Sequence, residues 1–131
     1  MQTEKYRYIR NFLTDRPLLQ AQYRDTRDYV QFLRKGHADG TLPKLTDEIF
    51  FGPRPPEELY DLTADPHEIK NLAKDPTFSD VLKRHRKILT EWQKSTDDKG
   101  QYPESDAGLQ EVLDQWKTRC INPEYDRVRL K

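Results

Sequence analysis

Glu58-Leu59-Tyr60-Asp61-Leu62-Thr63-Ala64-Asp65-Pro66-His67-Glu68-Ile69-Lys70-Asn71-Leu72-Ala73 is the stretch that decides how this chain folds. Leu59, Tyr60 and Leu62 form a short apolar run with β-favouring side chains, and Thr63 to Asp65 carry turn chemistry. Asp65-Pro66 then opens a helix, because Asp is a favoured N-cap, Pro loses nothing at the first helical position, and Glu68 can return the capping-box bond. The expectation is a strand, a turn and a short capped helix, which is structural rather than catalytic. His67 falls in that first helical turn, which accounts for it without a ligand role.

Upstream, Gly52-Pro53-Arg54-Pro55-Pro56 stops whatever precedes it and delivers an extended chain to the Leu59 strand. Thr46, Asp47 and Glu48 begin a short helix carrying Ile49, Phe50 and Phe51. Asp25 is positioned to cap another helix with Tyr29, Phe32 and Leu33 at helical spacing, ended by Gly36 or Gly40, while Leu18 to Tyr23 is ambiguous. His37 lies near the C-terminal end of that helix, where dipole and carbonyl contacts explain a histidine better than a ligand role. Lys5 to Phe12 alternates as a strand, with Tyr6 and Tyr8 on one side and Arg7 and Ile9 on the other.

Downstream, Phe78, Val81, Leu82, His85, Ile88, Leu89 and Trp92 recur at three and four residues and make one stripe along a helix. Burying Val81, Leu82, Ile88, Leu89 and Trp92 contributes on the order of 1.5 to 3 kcal/mol each before entropy is counted. His85 within the stripe reads as a hydrogen-bonded histidine at the edge of the core. Asp97-Asp98-Lys99-Gly100 ends the helix, and Ser105 caps a further one with Leu109, Val112, Leu113 and Trp116 on its face. Such a helix needs a partner layer. In a small domain an antiparallel sheet is the simplest, so the fold class is α+β, a small antiparallel sheet packed against a long amphipathic helix with extra short helices. Residues 1–105 are taken as one domain and 106–131 as a helical extension and tail.

Composition limits the function classes. The chain has 131 residues, 34% hydrophobic and 35% charged, so the core is small and the surface strongly ionic, while 11% aromatic content argues for folding. Basic and acidic side chains balance at 23 each, which gives no global field to attract nucleic acid. No apolar run approaches a membrane span, and Met1 precedes charged residues rather than a signal-peptide core, so this chain is expected to stay where it is made. A single cysteine, Cys120, excludes an internal disulfide. His37, His67 and His85 share no metal-ligand spacing, and neither a phosphate loop nor a nucleophile elbow occurs. The adjacent pairs Asp97-Asp98 and Glu57-Glu58 are read as solvated loop charge. Arg7, Arg10, Arg16, Arg24 and Arg27 have forks suited to sulfate or carboxylate, but Asp15, Asp25 and Asp28 interleave with them, which favours ion pairing.

As a string, Glu58-Leu59-Tyr60-Asp61-Leu62, two residues, Asp65-Pro66, one residue, Glu68, two residues, Asn71-Leu72 resembles the signature that follows the catalytic domain in type I sulfatases of the alkaline phosphatase superfamily. Lys5-Tyr6-Arg7-Tyr8-Ile9-Arg10-Asn11 resembles the strand that begins that C-terminal subdomain, and Phe78 to Trp92 its closing helix. The intervening residues are most similar to bacterial sulfatases of the heparan N-sulfatase-like kind. The resemblance implies a sheet of about four strands. It also implies a parent that hydrolyses a sulfate ester or N-sulfate with a formylglycine, made from Cys or Ser in Cys/Ser-x-Pro-x-Arg, and a calcium-like divalent cation. Such parents are commonly periplasmic or secreted.

Neither the formylglycine motif nor a counterpart of the metal site is present: Cys120 is followed by Ile121, Asn122 and Pro123, the wrong spacing. No catalytic residue, metal ligand or cofactor is therefore assigned to this chain, which is expected to be inactive alone. It would brace a catalytic domain, associate with that domain or with itself, and line part of a substrate pocket, with Arg10, Arg16, Arg24 and His37 as candidate contacts to a sulfated glycan or other anion. Two alternatives remain open at this point: a free-standing sulfated-glycan or anion binding module, and the C-terminal part of a phosphonate or phosphate monoester hydrolase of the same superfamily.

Overall fold

β1 (Tyr6–Arg10) and β2 (Glu57–Asp61) pair antiparallel in a computed structural model that describes residues 1–22 and 24–129. Their register sets Tyr6 opposite Asp61, Tyr8 opposite Leu59 and Arg10 opposite Glu57. The described residues also hold five α-helices, α1 (Asp28–Ala38), α2 (Lys44–Phe51), α3 (Ser79–Thr96), α4 (Asp106–Trp116) and α5 (Asp126–Arg129), and three single 3-10 turns. The class is α+β, as the residue pattern implies. Tyr23, Leu130 and Lys131, which the sequence reading included, lie outside the described residues.

The chain divides into two compact units. One consists of Met1–Thr14 and Arg54–Tyr102, the other of Asp15–Pro53 and the chain from Pro103 onward. In the first, Tyr8 and Leu59 are fully buried and meet Leu72 and Leu82, with Tyr6, Phe78, Val81 and Leu89 packed around them. Alternation along the strands puts Tyr6, Tyr8, Glu57 and Leu59 on this one face.

The described sheet has two strands, not four. Both outer edges are occupied, but by pieces too short to become strands. On the β1 side, Gln2 makes a single bridge to Arg7, and the Tyr8 amide donates to the Met1 carbonyl at 2.9 Å. On the β2 side, the Leu72 amide reaches the Leu59 carbonyl at 2.8 Å. Asn71 supplies the rest through its side chain, accepting from the amides of Leu59 at 3.1 Å and Ala73 at 2.9 Å and donating to the Glu57 carbonyl at 3.1 Å.

The capped helix expected after Asp65-Pro66 does not form. Glu68 has φ of 55°, left-handed backbone that ends any helical turn. Its carboxylate reaches Arg7 at 2.6 Å instead of returning to the cap. Asp65 does act as an acceptor at the turn, but for the Lys70 amide at 2.7 Å. Asp61 organises the preceding turn, accepting from the amides of Thr63 at 3.0 Å and Ala64 at 3.1 Å. His67 thus sits in an exposed turn rather than in a helix.

α3 was expected over Phe78 to Trp92; it starts at Ser79 after a single 3-10 turn and runs to Thr96, where Asp97 with φ of 52° stops it. Its stripe is only partly covered, since Ile88 is 37% and Trp92 52% exposed. The reason is length: an 18-residue helix runs about 27 Å and a five-residue strand about 17 Å, so the C-terminal turns of α3 outreach the sheet.

In the second unit, α1 starts at Asp28 rather than at an Asp25 cap, and Gly40 with φ of 66° follows its end. Its inner face differs from the expected one. Val30 is fully buried while Tyr29 and Phe32 are exposed. Gly36 is also buried, with the Leu42 side chain 2.7 Å from where its Cβ would stand. α2 ends at Gly52, and α4 is capped by Ser105, whose hydroxyl accepts from the Gly108 amide at 3.1 Å, both at the positions the sequence indicates. Leu109 is buried on α4, and the buried Cys120 thiol points to the Val112 carbonyl at 3.6 Å.

Asn71→Ala removes the side chain that closes β2 and leaves the Leu59 amide without its acceptor. The expected loss is about 2 to 3 kcal/mol in a urea denaturation curve. An unchanged midpoint would contradict the edge-closing role.

Candidate functional site

Glu57 was read as solvated loop charge together with Glu58; the structure corrects both. They lie on β2, and the strand's two-residue period sends their side chains to opposite faces. Glu57 points towards α3. There it accepts from the buried Tyr8 hydroxyl and takes both Nε, at 2.7 Å, and Nη2 of Arg86. Glu58, on the other face, accepts from Asn11 Nδ2 at 2.6 Å and from the Tyr60 hydroxyl at 2.5 Å. Hydrogen bonding to Arg86 holds the Glu57 carboxyl below its usual range against the opposing effect of burial, with help from Tyr8. Burial, reinforced by the neighbouring carboxylates, raises the phenols of Tyr8 and Tyr60. Every group here has a protein partner, so the cluster clamps helix to sheet rather than offering a poised acid or base.

The candidate anion contacts belong to both units. Arg10 belongs to the first unit, on β1 across from Glu57, whose acidity its charge increases. Arg16, Arg24 and His37 belong to the second unit. The Arg16 side chain is 13% exposed and divides its fork between Asp15, at 2.9 and 3.0 Å, and Glu124, at 2.5 Å. Those two acids raise its already high pKa and keep it charged. Arg24 is exposed in the turn before α1. His37 sits in the last turn of α1, as the sequence suggests, with Nδ1 2.6 Å from Asp47 Oδ1. Its ring also stacks on Phe51, centroids 4.0 Å apart and planes 8° from parallel. Its partners come from α2, so it fastens two helices rather than meeting its own last carbonyls.

Ion pairing therefore engages Arg16, as the interleaved acids suggest, and Arg34 takes Asp25 at 2.9 Å where the sequence offered Asp25 to the first-third arginines. Sequence reasoning missed Arg86 and Glu57 as partners; the signal was that Glu57 and Tyr8 fall on one sheet face if the strands pair in this register. Among the described residues, no group of three or more His, Cys, Asp or Glu is placed to hold a metal ion. No helix among them is long and apolar enough to cross a membrane.

Arg86→Met leaves Glu57 with Tyr8 alone. Because the Arg86 side chain is 42% exposed, the pair is partly screened and its loss costs about 1 to 2 kcal/mol. Glu57 is more acidic folded than unfolded, so its stabilising contribution is complete above about pH 4.3 and drains away as pH falls through its lowered folded value. The variant should accordingly show a shallower acid limb in stability against pH. A parallel limb would show that Glu57 does not carry it.

Comparison with known proteins adds a second line of information. No protein-family profile matches the chain. It is 34% identical over 104 residues, 79% of its length, to an ulvan-active sulfatase of Formosa agariphila, of which it covers 17%. It is 56% identical over 36 residues to a delta 4,5-hexuronate-2-O-sulfatase of Bacteroides thetaiotaomicron, spanning 28% of this chain and 8% of that protein. A human N-sulphoglucosamine sulphohydrolase is 51% identical over 41 residues, 31% of this chain and 8% of the relative. The chain spans less than a fifth of the length of these relatives.

Proposed function

Because the chain is homologous to sulfatases, of which it spans a small part, we propose that it is the non-catalytic C-terminal part of such an enzyme, bracing a catalytic portion and lining part of its substrate pocket. One observation carries this reading: a 104-residue match to a sulfatase in a chain with no Cys/Ser-x-Pro-x-Arg segment. The formylglycine and the divalent cation would both belong to the catalytic portion. The Glu57 clamp supports a bracing role, since it spends its polar groups on joining α3 to the sheet. A free-standing anion-binding module is less well supported, because the Arg16 fork is filled by Asp15 and Glu124. The activities of these relatives favour sulfatase over phosphonate hydrolase parentage.

The uncovered end of α3 supplies a surface for such bracing. Ile88, Leu89 and Trp92 with Met1 line an apolar depression of about 290 Å³. Without the catalytic portion, that surface favours self-association. Sedimentation velocity should show species larger than the 15.7 kDa monomer, reduced in Trp92→Ser. A strictly monomeric chain would count against the association.

The parentage itself is tested by reading the DNA immediately upstream of the Met1 codon. An in-frame or neighbouring segment encoding Cys/Ser-x-Pro-x-Arg and metal-binding acids is expected. Its absence would overturn the sulfatase-part reading and promote the binding module.

A further inference from the structure

In the second unit α4 ends at Trp116, and Lys117 turns the chain with φ of 49° and ψ of −117°, a backbone state that residues other than glycine rarely adopt. Such states persist where the surrounding contacts fix them, and they gather at ligand sites. A single 3-10 turn follows from Lys117 to Arg119, and the Arg119 guanidinium stands over the Trp116 ring, 5.7 Å from its centroid. Arg119 is exposed, and among the described residues it has neither an acid nor a hydrogen-bond acceptor for its guanidinium. The charges near it in sequence are already committed: Glu124 holds Arg16, Asp126 takes Arg129 at 3.3 Å, and Arg127 takes Asp106.

Val112, Trp116, Arg119, Cys120, Asn122 and Tyr125 line a depression of about 370 Å³ at this place. Its size suits a small molecule. Trp116 is 45% exposed, and with Val112 and Tyr125 it gives the depression an apolar, largely aromatic wall. The lining contains no carboxylate. Burial, with the nearby Cys120, raises the Tyr125 phenol, which therefore stays a neutral hydroxyl. The Asn122 carboxamide makes no hydrogen bond among the described residues, so it can both donate and accept. One positive charge, that of Arg119, is left without an answering group.

We propose that this depression binds a small aromatic carboxylate. The ligand ring lies against Trp116, Val112 and Tyr125, its carboxylate takes the Arg119 fork, and Asn122 meets a hydroxyl on the ring. A guanidinium carries its N–H donors in its own plane, so Arg119 can stay over Trp116 and still present an edge to a carboxylate. A single cation matches a monoanion. A neutral ring leaves that cation unanswered, and an aliphatic acid forfeits the aromatic contact. The inference stands on the geometry of the second unit and does not depend on the chain being part of a sulfatase.

The test titrates the full chain with para-hydroxycinnamate, its neutral amide, cyclohexanecarboxylate and glucuronate while the tryptophan indole N–H signals are followed by NMR. The Trp116 signal is identified by its loss in Trp116→Phe. The expected result is a saturable movement of that signal with para-hydroxycinnamate, and roughly tenfold weaker binding of each of the other three compounds. Arg119→Met, at an exposed position and so expected to leave the thermal midpoint unchanged, should weaken para-hydroxycinnamate by roughly tenfold and bring it level with the amide. The proposal is overturned if the Trp116 signal does not respond, if the amide, cyclohexanecarboxylate or glucuronate binds as tightly as para-hydroxycinnamate, or if Arg119→Met binds as the parent does.

Discussion

A two-stranded sheet cannot hold a helix by its own backbone bonds, and in the first unit a single carboxylate on β2 adds a polar link to the apolar packing between them. Glu57 accepts from Tyr8 on β1 and from Arg86 on α3, so one side chain links both strands to the helix. The clamp lies beside the apolar contact of Tyr8, Leu59, Leu72 and Leu82, where loss of one partner would leave charge in a largely buried place. Arg86 remains partly exposed, which limits the desolvation cost on its side of the pair.

The same economy governs the sheet edges. Asn71 substitutes side-chain amide groups for a missing strand, and Asp61 and Asp65 gather the amides of the turn that leads to it. Within the stretch from Glu58 to Leu72, Glu58, Asp61, Asp65, Glu68 and Asn71 are each tied to a backbone group or a facing side chain. Glu58 holds Asn11 and Tyr60, and Glu68 reaches across to Arg7. In the second unit the corresponding fastening is ionic, with Arg16 joining Glu124 and Arg127 joining Asp106 across long sequence separations.

These roles fit a homologue of part of the sulfatases. The first unit offers a rigid frame and an uncovered apolar surface. The frame is the clamped sheet and helix. The exposed end of α3 is the surface, because the helix is longer than the strands it covers.

Much of this was legible in the sequence. The class, the strand of Lys5 to Phe12, the α3 stripe, the stops at Gly52 and Asp97 and the Ser105 cap all follow from local chemistry, and the resemblance of Glu58 to Leu72 to a sulfatase signature rests on order alone. Three things only the tertiary structure decided. Glu68 takes left-handed backbone and gives its carboxylate to Arg7, 61 residues away, a partner that no local cap rule can weigh. Glu57 changed from surface charge to clamp because strand register brings Tyr8 to it and packing brings Arg86. Residues 1–14 joined 54–102 rather than their neighbours in sequence, because burial and pairing act through space, whereas periodicity and capping report only on the nearest turns of the chain.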